Sequence, residues 1–280
     1  MQRRDFITLL AGAAAALPLA AYAQQAVKLH RIGILSPELP PPGFLDAFRQ
    51  GLRELGYVEG RDIALEVRNA EGYSQRLGGL VTSLSQPGGN VTGMSFKVDE
   101  LSGKGLALLR EVFPSLSRVA VLWYAPNPGA DIAVSAIKAA SRELGLELLL
   151  LPVHGQGDLI TAFQTASRSR AEVLIVLADV VATQHRGEIL NLAATHSLAV
   201  ISQYRAFAEA GALLAFGPNT SAMYRRAAYY VDRILKGANA GDLPVEQATK
   251  FDLVVNLKTA KTLGVTIPPS LLARADKVIE

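Results

Sequence analysis

A chain of 280 residues exceeds the usual size of one domain, so one large or two modest domains are expected. Half of its residues are hydrophobic and 19% are charged, the balance of a globular chain and not of a disordered one. The formal charge is only +3 and no Lys/Arg run exceeds two residues, which excludes a phosphate-tracking nucleic-acid stripe; zero cysteines exclude disulfides, thiolate metal sites and a cysteine nucleophile.

The first 23 residues form a leader. Arg3 and Arg4 precede an apolar run from Phe6 to Ala16, and Ala21 and Ala23 close it in the small-x-small pattern that a signal peptidase cuts. Arg3-Arg4 followed by Asp5-Phe6-Ile7 looks like a twin-arginine export signal. The apolar run is short for a ~20-residue membrane span, so cleavage is expected over retention as an anchor. No cysteine follows it, which excludes a lipoprotein. The mature chain, from Gln24, is expected in the periplasm.

"RIGIL" (31–35) reads as a buried first strand that turns at Ser36-Pro37. Phe44, Phe48, Leu52 and Leu55 then recur on one helical face, and Gly56 ends that helix. In "DIALEVR" Ile63, Leu65 and Val67 alternate with Ala64, Glu66 and Arg68, which implies one wet face and a place near a sheet edge. The next stretch, 69–96, is rich in glycine and serine and breaks the rhythm. Order returns with apolar strands at 118–124, 146–153, 172–179 and 198–204, separated by helices at 129–144, 158–169 and 184–195. Four buried strands alternating with helices describe a parallel sheet covered on both faces. Beyond them, "EAGALLAFGPN" is a short strand or crossing, Thr220 or Ser221 caps a helix stopped by Gly237, and "FDLVVN" is a strand. Asn256 caps a short helix before Gly264, and the tail is expected to make one more helical turn.

No catalytic constellation stands out. The four histidines show no i, i+4 pair and no H-E-x-x-H, so neither a metal nor a cofactor is expected. No G-x-S-x-G occurs; "SGKG" is not a P-loop and "GQG" does not continue as a dinucleotide fingerprint. What remains is polar chemistry at the carboxyl ends of the strands: Ser36, Tyr124 with Asn127, Asp179, and Tyr204. Ligands of open parallel sheets bind outside those ends, where helix N-termini also point. Loops are polar wherever they begin, so the joint placement carries more than any one residue.

An exported α/β chain with "RIGIL", "QPGGNVTGMSF", "RVAVLWYAPNP" and "RAFAEAGALLAFGPN" resembles the solute-binding proteins of ABC transporters. It is most similar to the tryptophan/tyrosine-type group of the type I periplasmic binding proteins, whose C-terminal sequence it follows almost end to end. The resemblance implies two α/β lobes, parallel sheets covered by helices, joined by three crossings and closing on a small ligand. It places lobe one at 27–95 plus 213–242 and lobe two at 96–212 plus 243–280, with crossings in "GNVTGMS" and "GALLAFG". Ser36, Tyr124, Asn127, Asp179 and Tyr204 fall where cleft contacts are expected. Asn127 or Asp179 would hold the amino or carboxylate end of an amino-acid-like ligand, and Tyr204 would stack on its apolar part. The implied partners are that ligand and an ABC permease in the inner membrane, with the protein a monomer and not an enzyme. A sensor docked to a membrane receptor, or a chain that no longer binds, are the alternatives. The last arises because "ALEVRNAEGYSQRL" runs straight into "GGLVTSLSQPGGNVTG". About forty residues of the family pattern, one and a half βα units, are missing at Leu77-Gly78, which leaves the first lobe truncated.

Overall fold

The computed structural model describes residues 29–36, 40, 42–69, 85–86, 88–95, 98–127 and 129–280. The leader, Pro37 and the junction at Leu77-Gly78 lie outside the described residues. Strand β1 (His30–Ser36), helix α1 (Pro42–Glu54) and strand β2 (Ile63–Asn69) form one unit. The two strands are parallel, His30 opposite Ile63 and Ser36 opposite Asn69, and parallel neighbours require a crossover such as α1. β2 has one strand partner among the described residues, as its alternation implies. A two-residue strand, β3 (Met94–Ser95), follows.

Helix α2 (Val98–Val112) leads to β4 (Arg118–Tyr124), α3 (Ala130–Glu143), β5 (Glu147–Val153), α4 (Leu159–Arg168) and β6 (Val173–Val176). Helix α6 (Arg186–Thr195) fills the span expected as a helix, and a short helix, α5 (Val180–Gln184), precedes it. Then come β7 (Ala199–Ser202), α7 (Arg205–Ala210), β8 (Leu214–Pro218), α8 (Thr220–Leu235), β9 (Glu246–Gln247), β10 (Phe251–Asn256), α9 (Leu257–Leu263), α10 (Pro269–Leu272) and β11 (Lys277–Ile279). Neither α2 nor α7 nor β11 was legible in the sequence. Gly103 and Gly105, poor helix formers, interrupt the pattern of α2.

Seven strands make the large sheet in the order β11-β10-β8-β7-β6-β4-β5, and only the β8–β10 pair is antiparallel. All four residues of β6 and of β7 are buried, because both faces are covered. Alternation divides the core. Val119, Val121, Ile175 and Ile201 face Leu106, Leu109 and Ile137 on one side; Ala120, Leu122, Leu174 and Val200 face Phe163, Ile189 and Phe207 on the other. Burial of each such large side chain contributes about 1.5–3 kcal/mol.

A separate small core holds the β1–β2 pair: Phe48, Leu52, Ile63 and Ala228, with Ile32, Ile34, Val231 and Leu235 packed against them. Here α1 lies on α8 so closely that a Cβ on Gly51 would come 2.5 Å from the Arg225 carbonyl. Asn219, and not Thr220 or Ser221, caps α8, its Oδ1 accepting from the Ala222 amide at 2.8 Å.

Between the two bodies β3 runs parallel to β9, Met94 opposite Glu246. The Glu246 amide donates to the Gly93 carbonyl at 2.9 Å, and the Thr92 hydroxyl to the Leu243 carbonyl at 2.6 Å. "GALLAFG", expected as a crossing that starts the return to lobe one at Leu213, is instead a strand of the large sheet, paired with β7 and β10. The chain leaves that sheet only after Pro218. At Gly217 a Cβ would come 1.9 Å from the Gln203 carbonyl, so the departing segment rests directly on the backbone after β7.

Candidate functional site

Parallel strands deliver their carboxyl ends to one rim, and β4, β6 and β7 bring Asn127, Asp179 and Tyr204 there. Asn127 sits in the turn after β4, its amide donating to the Tyr124 carbonyl at 3.1 Å. Its side-chain Nδ2 donates to Asp179 Oδ2 at 2.7 Å, while its Oδ1 accepts from the Gly129 amide at 3.0 Å. Asp179 caps α5: Oδ1 accepts from the Val181 amide at 2.8 Å. The two residues are thus one preorganised unit, with the Asn127 amide oriented from both ends.

Burial pushes the Asp179 carboxyl above the usual aspartate range, against the stabilising hydrogen bonds from Asn127 and from backbone amides at the start of α5. The Tyr204 hydroxyl is pushed far above the usual tyrosine value, by burial first and then by the Asp179 carboxylate and Tyr224. Tyr204 therefore sits within electrostatic reach of both. Tyr224 belongs to α8 and the small core, is itself raised by burial, and stacks on Phe44 of α1 with centroids 5.3 Å apart. Tyr224 of the small body thus lies within electrostatic reach of Tyr204 on the rim of the large sheet.

Three of the five expected residues, Asn127, Asp179 and Tyr204, come together. Tyr124 contributes its carbonyl to the Asn127 turn, and its side chain lines a small cavity with Val153, Gln156 and His185. Ser36 ends β1 opposite Asn69, at the carboxyl end of the small sheet. Phe44 and Tyr224 were not singled out as site residues; Phe44 reads as one more core position of an amphipathic helix. Gln203, also unexpected, accepts from the Ala178 amide at 3.3 Å next to Asp179.

A groove of about 1050 Å³ lies elsewhere, along α8 and 244–250, lined by Glu54, Met94, Arg225, Arg226 and Glu246 among others. None of the five expected residues lines it. Four of its charges are neutralised in pairs, Arg225 with Glu54 and Arg226 with Glu246. Chemistry therefore favours the strand-end site over the roomier groove.

The model of the family described as ABC transporter substrate binding protein matches residues 76–279. A tyrosine-binding protein of Clostridioides difficile is 24% identical over 186 residues, which is 66% of this chain and 53% of the relative; the chain spans about half that relative's length. Among solved structures, an ABC domain in complex with L-Trp from Streptococcus pneumonia aligns with TM-score 0.79 and 20% identity, over 90% of this chain and 100% of the other. A conserved domain protein from Vibrio cholerae gives 0.78 and 24% over the same shares. A ligand-free, open substrate binding protein with adhesive properties from Clostridium difficile gives 0.63 and 21%, over 90% and 99%. These likenesses establish the fold, that of the type I periplasmic binding proteins with a shortened first lobe.

Proposed function

This chain belongs to the ABC transporter substrate binding protein family, a family of binding proteins and not of enzymes, and we propose on that premise that it is the extracytoplasmic solute-binding component of an ABC importer, holding an amino-acid-like ligand between its two bodies. The observation that carries the ligand class is the Asn127–Asp179 unit, hydrogen-bonded at 2.7 Å, with Tyr204 within electrostatic reach of Asp179 and of Tyr224 from the small body. Asp179 accepts from the ligand's ammonium group, and an apolar or aromatic side chain lies between Tyr204 and Tyr224. A tyrosine-binding relative and an L-Trp-bound structural neighbour support an amino acid of this kind.

Lobe one comprises 27–95 with α8 and the turn to 242; lobe two comprises 96–218 with 243–280. We assign β8 to lobe two because of its pairing, so the second crossing lies at Pro218–Thr220. Closure turns about this crossing and the β3–β9 pair. The leader exports the protein to the periplasm, where an inner-membrane permease receives it.

A second reading, that the chain no longer binds, draws on one observation: the small body has only two strands among the described residues. Thermal-shift measurements with L-tyrosine, L-tryptophan and a panel of other amino acids decide. A ligand held by the native state alone raises the transition temperature. Flat transitions across the whole panel would overturn the binding proposal.

A further inference from the structure

The second crossing is tied down where α8 begins. Asn219 caps α8 with Oδ1, and its Nδ2 donates to Asp252 Oδ1 at 3.1 Å. The Asn219 amide donates to the Lys250 carbonyl at 3.0 Å. Asp252 lies on β10 opposite Gly217, the residue whose Cβ place is taken by the Gln203 carbonyl. Its second oxygen, Oδ2, pairs with Arg205 Nη1 at 3.8 Å, and only 16% of its side chain is exposed. Partial burial weakens the competition from water, so this carboxylate holds its partners better than one at the open surface would.

Each residue that Asp252 holds governs an aromatic of the site. Arg205 opens α7 directly after Tyr204. Tyr224 lies early in the helix that Asn219 caps. One carboxylate therefore joins the rim of the large body to the start of the helix that brings Tyr224 toward it. Further along, α8 touches the connecting segment, Arg226 through Glu246 and the Tyr230 hydroxyl through the Pro244 carbonyl at 2.8 Å. Asp252, in contrast, belongs to the large sheet itself.

We propose, resting on the amino-acid reading above, that Asp252 is a positioning residue of the binding site. By holding Arg205 and Asn219 together it sets the separation of Tyr204 and Tyr224, and so the opening into which the ligand's side chain fits. Asn219 is the pivot. Its side chain is oriented from both ends, by the first turn of α8 on one side and by the large sheet on the other. Turning α8 about the crossing therefore moves this amide against Asp252. A slack pivot leaves a smaller fraction of molecules with the competent opening, and apparent affinity falls in proportion to that fraction.

Asn219→Asp keeps the cap on α8 but replaces the donor with a carboxylate facing Asp252. Combined with Asp252→Asn, the pair is exchanged, donor for acceptor, and the contact returns. A chain without cysteine takes two spin labels cleanly, at Arg53→Cys on α1 and Ser135→Cys on α3, both exposed. In ligand-free protein, Asn219→Asp is expected to broaden or shift the distance distribution between the labels, and the exchanged pair to restore it. Affinity for L-tyrosine and L-tryptophan, read by calorimetry, should fall about 10-fold in the single variant and recover to within about threefold in the exchanged pair. A general loss of stability would not show that recovery. Should Asn219→Asp fail to fold, Asp252→Ala, which removes both contacts and leaves the cap untouched, takes its place and is expected to broaden the distribution likewise. A distribution that neither single variant changes, or a loss that the exchanged pair does not recover, overturns the proposal. Distances are read without ligand, so a responsive distribution in a chain that binds no amino acid overturns the function proposed above and supports the tie at Asp252.

Discussion

Asp179 is asked to do two things that conflict. Its burial favours the proton, and the folded state holds that proton more tightly than the unfolded chain does. Its contribution to stability is therefore complete below the usual aspartate range and is lost as pH rises through the raised folded value. Ammonium binding needs the carboxylate, so the ligand-induced thermal shift should grow across that same interval; a shift that is largest in acid would contradict the assignment. Asp179→Asn keeps the cap on α5 but removes the charge, and should weaken amino-acid binding about 10- to 100-fold by titration calorimetry. Gly217→Ala tests the crossing. Its new Cβ meets the Gln203 backbone, which has no flexible end to move aside, so a loss of about 1–3 kcal/mol is expected in denaturant unfolding. Asn127, Asp179 and Tyr204 were legible in the sequence because parallel strands send their carboxyl ends to one rim. Phe44 and Tyr224 were not, since an aromatic on a helical stripe has the same spacing whether it fills a core or walls a cleft.

At the scale of elements, one buried acid ties the small body together. Asp232, 5% exposed on α8, accepts from the Tyr57 hydroxyl at 3.0 Å and from Lys236 at 2.8 Å. Tyr57 follows α1, so this contact joins the end of the crossover to the C-terminal half of α8. The Lys236 ammonium, ahead of the Tyr57 hydrogen bond, holds the carboxyl below its usual range, although burial opposes this. Its contribution is thus present above the usual aspartate range and is lost as pH falls through the lowered value. Asp232→Ala should cost about 1–3 kcal/mol, read as earlier melting of the small body, because the tyrosine hydroxyl loses its acceptor. Most helices of the large body were readable from apolar periodicity and from glycines beyond their ends, Gly145 at φ +63° and Gly264 at φ +68° among them. The capping of α8 was misjudged by one residue: Thr220 and Ser221 are good caps, but the backbone is already helical there, and only Asn219 stands outside it with its side chain turned back.

The whole molecule divides into unequal cores. The large sheet is enclosed by two continuous clusters of buried side chains, whereas the small body rests on Phe48, Leu52, Ile63 and Ala228 and the residues packed around them. Cooperative unfolding requires cores that share buried surface, and the bodies meet through short segments such as β3 and β9. Scanning calorimetry should therefore resolve two transitions, the smaller at lower temperature, with protease cutting first in the small body; a single transition obeying two-state behaviour would refute this. If the ligand lies between the two bodies as proposed, a bound amino acid should raise the lower transition most. The family match begins at residue 76, beside the expected junction at Leu77-Gly78, and the small body retains two of its strands among the described residues. By itself the sequence determined the α/β class, the parallel series from β4 to β7 and which residues stand at the strand ends, because each follows from local periodicity and strand direction. Only the tertiary structure decided that β8 joins the large sheet, that β10 pairs against it antiparallel, and that Phe44 stacks on Tyr224. Those outcomes depend on which distant segments share an edge or a core, and no local spacing encodes them.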